Sequence, residues 1–233
     1  MEDHLLLGIE CTGNPLSLGI VKSAKPLGLV WLDAGAQSST MILDALEELL
    51  KLAKVDKKDL QGVCLTLGPG SFTGLRVGIA TAEGLAQAFQ IPLYGISVLE
   101  VMASSLPHYP GKIHAIQNAY KGEVYSGTYD TSSGVAESIG PMAMEKPEVF
   151  FAKVEAGDMV IGTGLAVLTK NNLDPSEKKA FSDPTWGRNS NGISVIEACV
   201  KKKIQPANHR SLEPIYIRAS EAEVNYEQNF KSR

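Results

Sequence analysis

Leu67-Gly-Pro-Gly-Ser-Phe-Thr-Gly-Leu-Arg-Val-Gly-Ile-Ala-Thr-Ala-Glu-Gly-Leu-Ala-Gln-Ala-Phe89 is the stretch on which the reading of this chain turns. Before it, residues 62–67 form a short apolar run in which Val63, Leu65 and Leu67 alternate as in a strand. Gly68, Pro69 and Gly70 break regular structure and permit a tight turn. Ser71 or Thr73 is placed to cap a helix, its hydroxyl accepting from an otherwise unpaired N–H. The pattern then becomes helical, with Gly74, Gly78, Ala82 and Ala86 four apart on one face. Gly74, Gly78 and Gly84 each cost about 1 kcal/mol against alanine, so close packing must offset them. From spacing alone, packing on the chain's own sheet explains this ridge better than packing on a second helix.

Working outward, residues 5–9 read as a buried strand ending in the turn Glu10-Cys11-Thr12-Gly13-Asn14-Pro15. Residues 16–21 and 27–32 read as two further strands, which makes an antiparallel meander. Ser38, Ser39 and Thr40 offer caps for a helix in which Met41, Ile42, Ala45, Leu46, Leu49, Leu50 and Ala53 keep helical spacing. A strand at 91–96 and a helix at about 97–105 close this half, and Pro107-His-Tyr-Pro-Gly111 reads as a linker. The expected division is therefore 1–106 and 107–233. The second half reads as a strand at 113–117, a hairpin partner at 123–129 and a strand near 139–144. Short helices at 147–154 and 165–170 flank a strand at 159–162. A helix at 191–203 turns Ile193, Ile196, Ala198, Val200 and Ile204 inward. Residues 212–217 are extended, and the tail after Arg218 is polar. The predicted class is α/β, with mixed sheets flanked by helices. Strand-strand-strand-helix-strand-helix-strand resembles the order of the sugar kinase–Hsp70–actin superfamily, the actin-like ATPase fold, in which two such subdomains face each other.

The 233 residues suit one large domain or two small ones, and 44% apolar residues suffice for a core. A net charge of −4 gives no general basic footprint for gripping nucleic acid. Cys11, Cys64 and Cys199 sit far apart in apolar surroundings, which reads as reduced, buried thiols of a cytoplasmic protein. An acidic start at Met1-Glu-Asp-His and no apolar run of about 20 residues point away from secretion and from the membrane.

The chemistry-bearing patterns are sparse. The loop Gly68 to Gly74 precedes a helix, where free N–H groups favour anions, but no Lys-Ser/Thr follows as in a Walker loop. His4, His108, His114 and His209 lack the spacing of a two-histidine metal site, so no metal ligands are assigned. Ser71 lies one residue off a nucleophile elbow and reads as a cap. Glu10, at a strand end with Thr12 close by, stands where the actin-like superfamily often carries an aspartate for metal and phosphate. Both are nucleotide candidates. Gly162-Thr-Gly164 is the one candidate adenosine loop. Arg76, in a helical first turn, is unfavourable to the dipole and is expected to pair with a carboxylate or a backbone carbonyl. Lys201-Lys202-Lys203 reads as a solvated helix C-terminus.

Gly68-Pro-Gly-Ser-Phe-Thr-Gly-Leu-Arg-Val-Gly resembles the signature of the bacterial TsaB (YeaZ) family, its structural residues here being Gly68, Pro69, Gly70, Ser71, Thr73, Gly74 and Arg76. Gly84-Leu-Ala, Ile91-Pro-Leu-Tyr-Gly-Ile-Ser-Val-Leu, Lys121-Gly-Glu-Val-Tyr125, Gly162-Thr-Gly164 and Glu213-Pro-Ile-Tyr-Ile-Arg218 resemble later landmarks of that family. The resemblance implies a non-catalytic, shortened paralogue of TsaD that supports transfer of a threonylcarbamoyl group to the adenosine beside the tRNA anticodon. It implies TsaD as heterodimer partner, TsaE as a further component, and tRNA met only through the complex, while an exposed apolar surface on such helices would predict a homodimer when the chain is alone. It also implies no cofactor for this chain, with ATP and Mg²⁺ used by the wider complex. The family's contact with TsaD resembles a bundle of the first two helices of each protein. That makes Ile42, Ala45, Leu46, Leu49, Gly74, Gly78, Ala82 and Ala86 the expected partner-binding residues. Departures from the family pattern occur at Glu10-Cys11-Thr12, at Gln37-Ser38-Ser39 and at Asn118-Ala119-Tyr120-Lys121. Two other readings stay open: an ATP-dependent phosphotransferase of the actin-like superfamily, and a metallopeptidase-like protein.

Overall fold

A computed structural model describes all residues except 2, 14, 34–39, 184, 186–189, 208–211 and 218–233. Ser38, Ser39, His209, Arg218 and the polar tail, all named above, lie outside the described residues, as does Asn14.

The first sheet is built on β1 (Leu5–Glu10), whose six residues are all buried. Such a strand must be covered on both faces, and its neighbours show how. β2 (Leu16–Lys22) and β3 (Lys25–Leu32) continue it as the expected antiparallel meander. β4 (Gly62–Thr66) and β5 (Leu93–Ile96) add in parallel on the other side, giving the order β3-β2-β1-β4-β5. Leu5, Leu7 and Ile9 point to the face covered by α1 (Ile42–Ala53) and α2 (Phe72–Phe89). Leu6 points to the opposite face, with Val21, Cys64 and Tyr94.

That opposite face is closed by α6 (Gly192–Lys201), from the far end of the chain. Asn191 caps it, its Oδ1 accepting from the N–H groups of Ile193 (2.9 Å) and Ser194 (3.1 Å). The approach is so close that a Cβ on Gly8 would stand 1.8 Å from the Gly192 carbonyl oxygen, and one on Gly19 would stand 2.5 Å from the Ile193 nitrogen. Gly8 and Gly19 are register partners, so the glycines form one flat seat for the helix. The inward side of α6 is Val195, Ile196, Ala198 and Cys199, while Ile193, Val200 and Ile204 sit at its margin. This corrects the expected face by part of a turn: the seat, not the periodicity, sets the helix rotation. Lys202 pairs with Glu100 and so is not simply solvated.

The second sheet runs β11-β10-β6-β7-β8, with β9 also on β7. Its members are β6 (Ile113–Asn118), β7 (Val124–Asp130), β8 (Glu137–Ser138), β9 (Ala143–Glu145), β10 (Met159–Ile161) and β11 (Phe181–Asp183). α4 (Pro147–Ala152) and α5 (Leu165–Lys170) cover one face. α3 (Val98–Ser104) covers the other, placing Val98, Leu99, Met102 and Ala103 against Ile113, Ala115 and Tyr125. The expected strand at 139–144 is corrected to two short pieces, β8 and β9, because Gly140 and Pro141 interrupt it. His114 is structural: its Nε2 meets Asp158 Oδ2 at 2.9 Å, tying β6 to the loop before β10, and its Nδ1 meets the Thr128 hydroxyl at 3.0 Å.

Packing crosses the expected boundary between 1–106 and 107–233 in both directions. α3 belongs with the second sheet and α6 with the first. Residues 212–217 also return: the Ile215 N–H donates to the Leu67 carbonyl at 2.6 Å, and Leu212 packs into the first core. The three cysteines are free and buried. No helix among the described residues is long and apolar enough to cross a membrane.

Candidate functional site

The loop between β4 and α2 is held against the end of β1. The Ser71 N–H donates to the Thr12 carbonyl at 2.7 Å, and the Ser71 hydroxyl caps α2 by accepting from Gly74 N–H at 3.3 Å. A Cβ on Gly70 would lie 2.0 Å from the Thr12 oxygen, and one on Gly74 2.2 Å from the Cys11 oxygen. On Gly78 it would lie 2.1 Å from Cys11 Sγ. Gly70, Gly74 and Gly78 of the signature are therefore required by the chain's own β1 turn. Residues 212–217 clamp the same corner from outside. Tyr216 stacks on Phe72 with ring centroids 4.8 Å apart, and Arg76 Nε donates to the Tyr216 hydroxyl at 3.4 Å. Where a carboxylate or a backbone carbonyl was expected for Arg76, its partner among the described residues is a phenol, supplied by a segment 140 residues away.

The expected partner-binding residues pack mostly inside the chain itself. Ile42, Ala45, Leu46, Leu49, Ala82 and Ala86 lie in the core beneath α1 and α2. Gly78 is buried, and Gly74 is blocked by Cys11. An amphipathic helix gives its apolar face to its own sheet first. What remains outside is a different set. On α1, Leu43 and Leu52 are 58% and 70% exposed. On α2, Ala80, Gly84 and Ala88 repeat at four-residue spacing along the exposed side. A Cβ on Gly84 would meet nothing within 4 Å. Leu43 and Leu52 were out of phase with the buried stripe, which was the sequence signal for them.

Between the sheets lies a cleft of about 530 Å³ lined by Glu10, Thr12, Gly13, Pro15, Trp31, Asp33, Val98, Met102, Gln117, Thr163 and Ser190. It brings together the nucleotide candidates Glu10 and Thr12 and the middle residue of Gly162-Thr-Gly164. Trp31, Asp33, Gln117 and Ser190 were not legible as one site, since they come from the ends of β3 and β6 and from the residue before the α6 cap, far apart in sequence. The Glu10 carboxylate is turned inward. Its Oε1 accepts from the Thr12 N–H at 2.7 Å and the Thr12 hydroxyl at 2.6 Å, and its Oε2 accepts from the Ser190 hydroxyl at 3.0 Å. Gln117 Nε2 reaches across from β6 to the Thr12 carbonyl at 3.5 Å. Thr163 Oγ1 accepts from the Asn118 N–H, and the Gly164 N–H donates to Ile116 O.

This donor set does not fit the phosphates of a nucleotide. The Thr12 amide, which would face a phosphate on such a loop, is already bonded to Glu10, and Glu10 does not project a free carboxylate for hydrated Mg²⁺. Among the described residues there is no group of three or more His, Cys, Asp or Glu side chains able to hold a metal ion.

Burial pushes the Glu10 carboxyl above its ordinary range, and the bonds from Thr12, Ser190 and Thr66 oppose this without cancelling it. A carboxyl raised in the folded state adds stability below its unfolded pKa, and that stability is lost as pH rises through the raised value. The Glu10→Gln variant is therefore expected to gain stability relative to the native chain between about pH 5 and about pH 8. Urea midpoints at the two pH values measure this. A difference that stays constant with pH would mean that Glu10 titrates as it does in the unfolded chain.

The two facing mixed sheets, the first with its meander and parallel crossovers, define an actin-like ATPase fold of the sugar kinase–Hsp70–actin type. A Pseudomonas aeruginosa protein described as similar to peptidase YEAZ superposes with a TM-score of 0.76 at 21% identity, over 92% of this chain and 100% of that one. The family model for TsaD, tRNA N6-adenosine threonylcarbamoyltransferase, matches residues 20–175. The Bacillus subtilis tRNA threonylcarbamoyladenosine biosynthesis protein TsaB is 25% identical over 225 residues, 95% of this chain and 97% of the relative. Escherichia coli TsaB is 33% identical over 129 residues, 53% of this chain and 56% of the relative. The chain belongs to the TsaD family and, within it, to the TsaB (YeaZ) branch.

Proposed function

We propose that this chain acts in tRNA threonylcarbamoyladenosine biosynthesis as a non-catalytic subunit that binds TsaD through the outward sides of α1 and α2. Family membership supports the pathway. The observation that carries the contact is the exposed small-residue ridge of Ala80, Gly84 and Ala88 on α2, together with Leu43 and Leu52 left exposed on the two flanks of α1. Such side chains facing water are what an apolar interface covers, and small residues let a partner helix approach closely. In this reading the chain makes no bond-breaking step and needs no cofactor. ATP and Mg²⁺ serve the wider complex, TsaE is a further component, and tRNA is met only through TsaD. Alone, the chain pairs with a second copy through the same faces, in the cytoplasm.

The phosphotransferase reading loses support from the inward-turned Glu10 and the bonded Thr12 amide. Size-exclusion chromatography with light scattering, on a mixture with TsaD from the same organism, tests the proposal. The expected result is a one-to-one complex replacing a homodimer. Two separate peaks, together with ATP turnover by the chain alone, would overturn it.

A further inference from the structure

We propose that the cleft between the two sheets binds a small organic cation whose protonated amines donate to the acceptors on its walls. This goes beyond the partner-binding role and uses a different part of the molecule.

The first observation is Gln117. It is 7% exposed, lines the cleft, and its Oε1 is buried without a hydrogen-bond partner among the described residues. Its Nε2 contact to Thr12 O, at 3.5 Å, is long. A buried amide oxygen left unpaired carries its full desolvation penalty, and a ligand N–H removes that penalty. The second observation is Glu10. The groups that face it, the Thr12 N–H and the hydroxyls of Thr12, Ser190 and Thr66, are all neutral donors. A buried carboxylate held by neutral dipoles gains most from a positive charge brought beside it.

The remaining lining agrees with this chemistry. Asp33 adds a second carboxylate at the exposed rim. Trp31, 49% exposed, offers an aromatic face to an ammonium group. Pro15, Val98 and Met102 supply apolar wall for methylene carbons between charges. Every charged or orphan polar group that the described residues place on this wall is an acceptor, which favours N–H donors and repels phosphate oxygens.

Spermidine is a suitable probe. Calorimetric titration of the full chain at constant ionic strength is expected to show saturable one-to-one binding. A parallel change in tryptophan fluorescence is expected to vanish in Trp31→Phe. Glu10→Gln is expected to weaken binding about tenfold or more, by loss of a charge-assisted bond. Because a buried substitution can disturb folding, Asp33→Asn at the rim is the second variant. It is expected to weaken binding about threefold with no change in melting temperature. The proposal is overturned by an unsaturable titration, by full affinity in both variants, or by binding of MgATP or Mg²⁺ alone where spermidine fails. Loss of this site would leave the TsaD-binding test unaffected, so the two readings fail separately.

Discussion

Replacing Gly8 with alanine is expected to destabilise the chain by about 3 kcal/mol, the upper end of what overpacking costs. The new methyl would lie 1.8 Å from the Gly192 carbonyl oxygen and 2.7 Å from its carbon. Both obstacles are backbone, so no rotamer change relieves the contact, and α6 must lift from the sheet. Lifting it exposes a core that includes Leu6, Val21, Cys64, Val195 and Ile196. Against a total stability of roughly 5–15 kcal/mol, that is a large fraction. The control is Gly84→Ala, in a helix and with open space around the added methyl. It is expected to stabilise by about 0.5–1 kcal/mol. Urea denaturation of the three proteins gives both numbers. A cost below about 1 kcal/mol for Gly8→Ala would show that α6 docks more loosely than the distances imply.

This pair of glycines also marks where the sequence was informative and where it was not. The alternation in residues 16–21, the Ser71 cap and the helical spacing after it are local, so the meander, α1 and α2 could be read directly. Gly78 was equally visible, but its reason was not. Helical spacing says that a flat ridge exists and is silent on whether Cys11 or a partner fills it. Once a family contact through these helices was expected, the ridge was assigned outward, whereas the structure turns it to Cys11. The exchange of helices between the two halves was hidden for a related reason. A linker is a local signal, but α3 and α6 choose their sheets by long-range packing. β11 had too few residues for any period to register. The cleft was the least legible element. Glu10 and Thr12 could be singled out at a strand end, but Trp31, Gln117 and Ser190 share nothing in sequence except where the fold delivers them.

The packing of the helix faces decides which substitution tests partner binding. Gly78 or Ala82, each suggested by the ridge, would report on folding, because Gly78 abuts Cys11 and Ala82 is fully buried. Gly84→Trp is the informative change. Its side chain would project into open space from the exposed side of α2, so the melting temperature is expected to stay within about 2–4 °C of the native value. A bulky ring on a ridge that a partner helix must approach holds the two backbones apart and empties the contact around it. The expected loss of affinity for TsaD is about 100-fold or more, the size seen when a central hot spot of an interface is removed. Leu43→Ala and Leu52→Ala should each weaken the complex by less, since they remove apolar area without adding a clash. Leu49→Ala should instead lower stability, as a buried leucine that leaves a cavity. If Gly84→Trp folds and binds TsaD with native affinity, the outward face of α2 is not the contact. The exposed leucines of α1 would then need another partner to explain them.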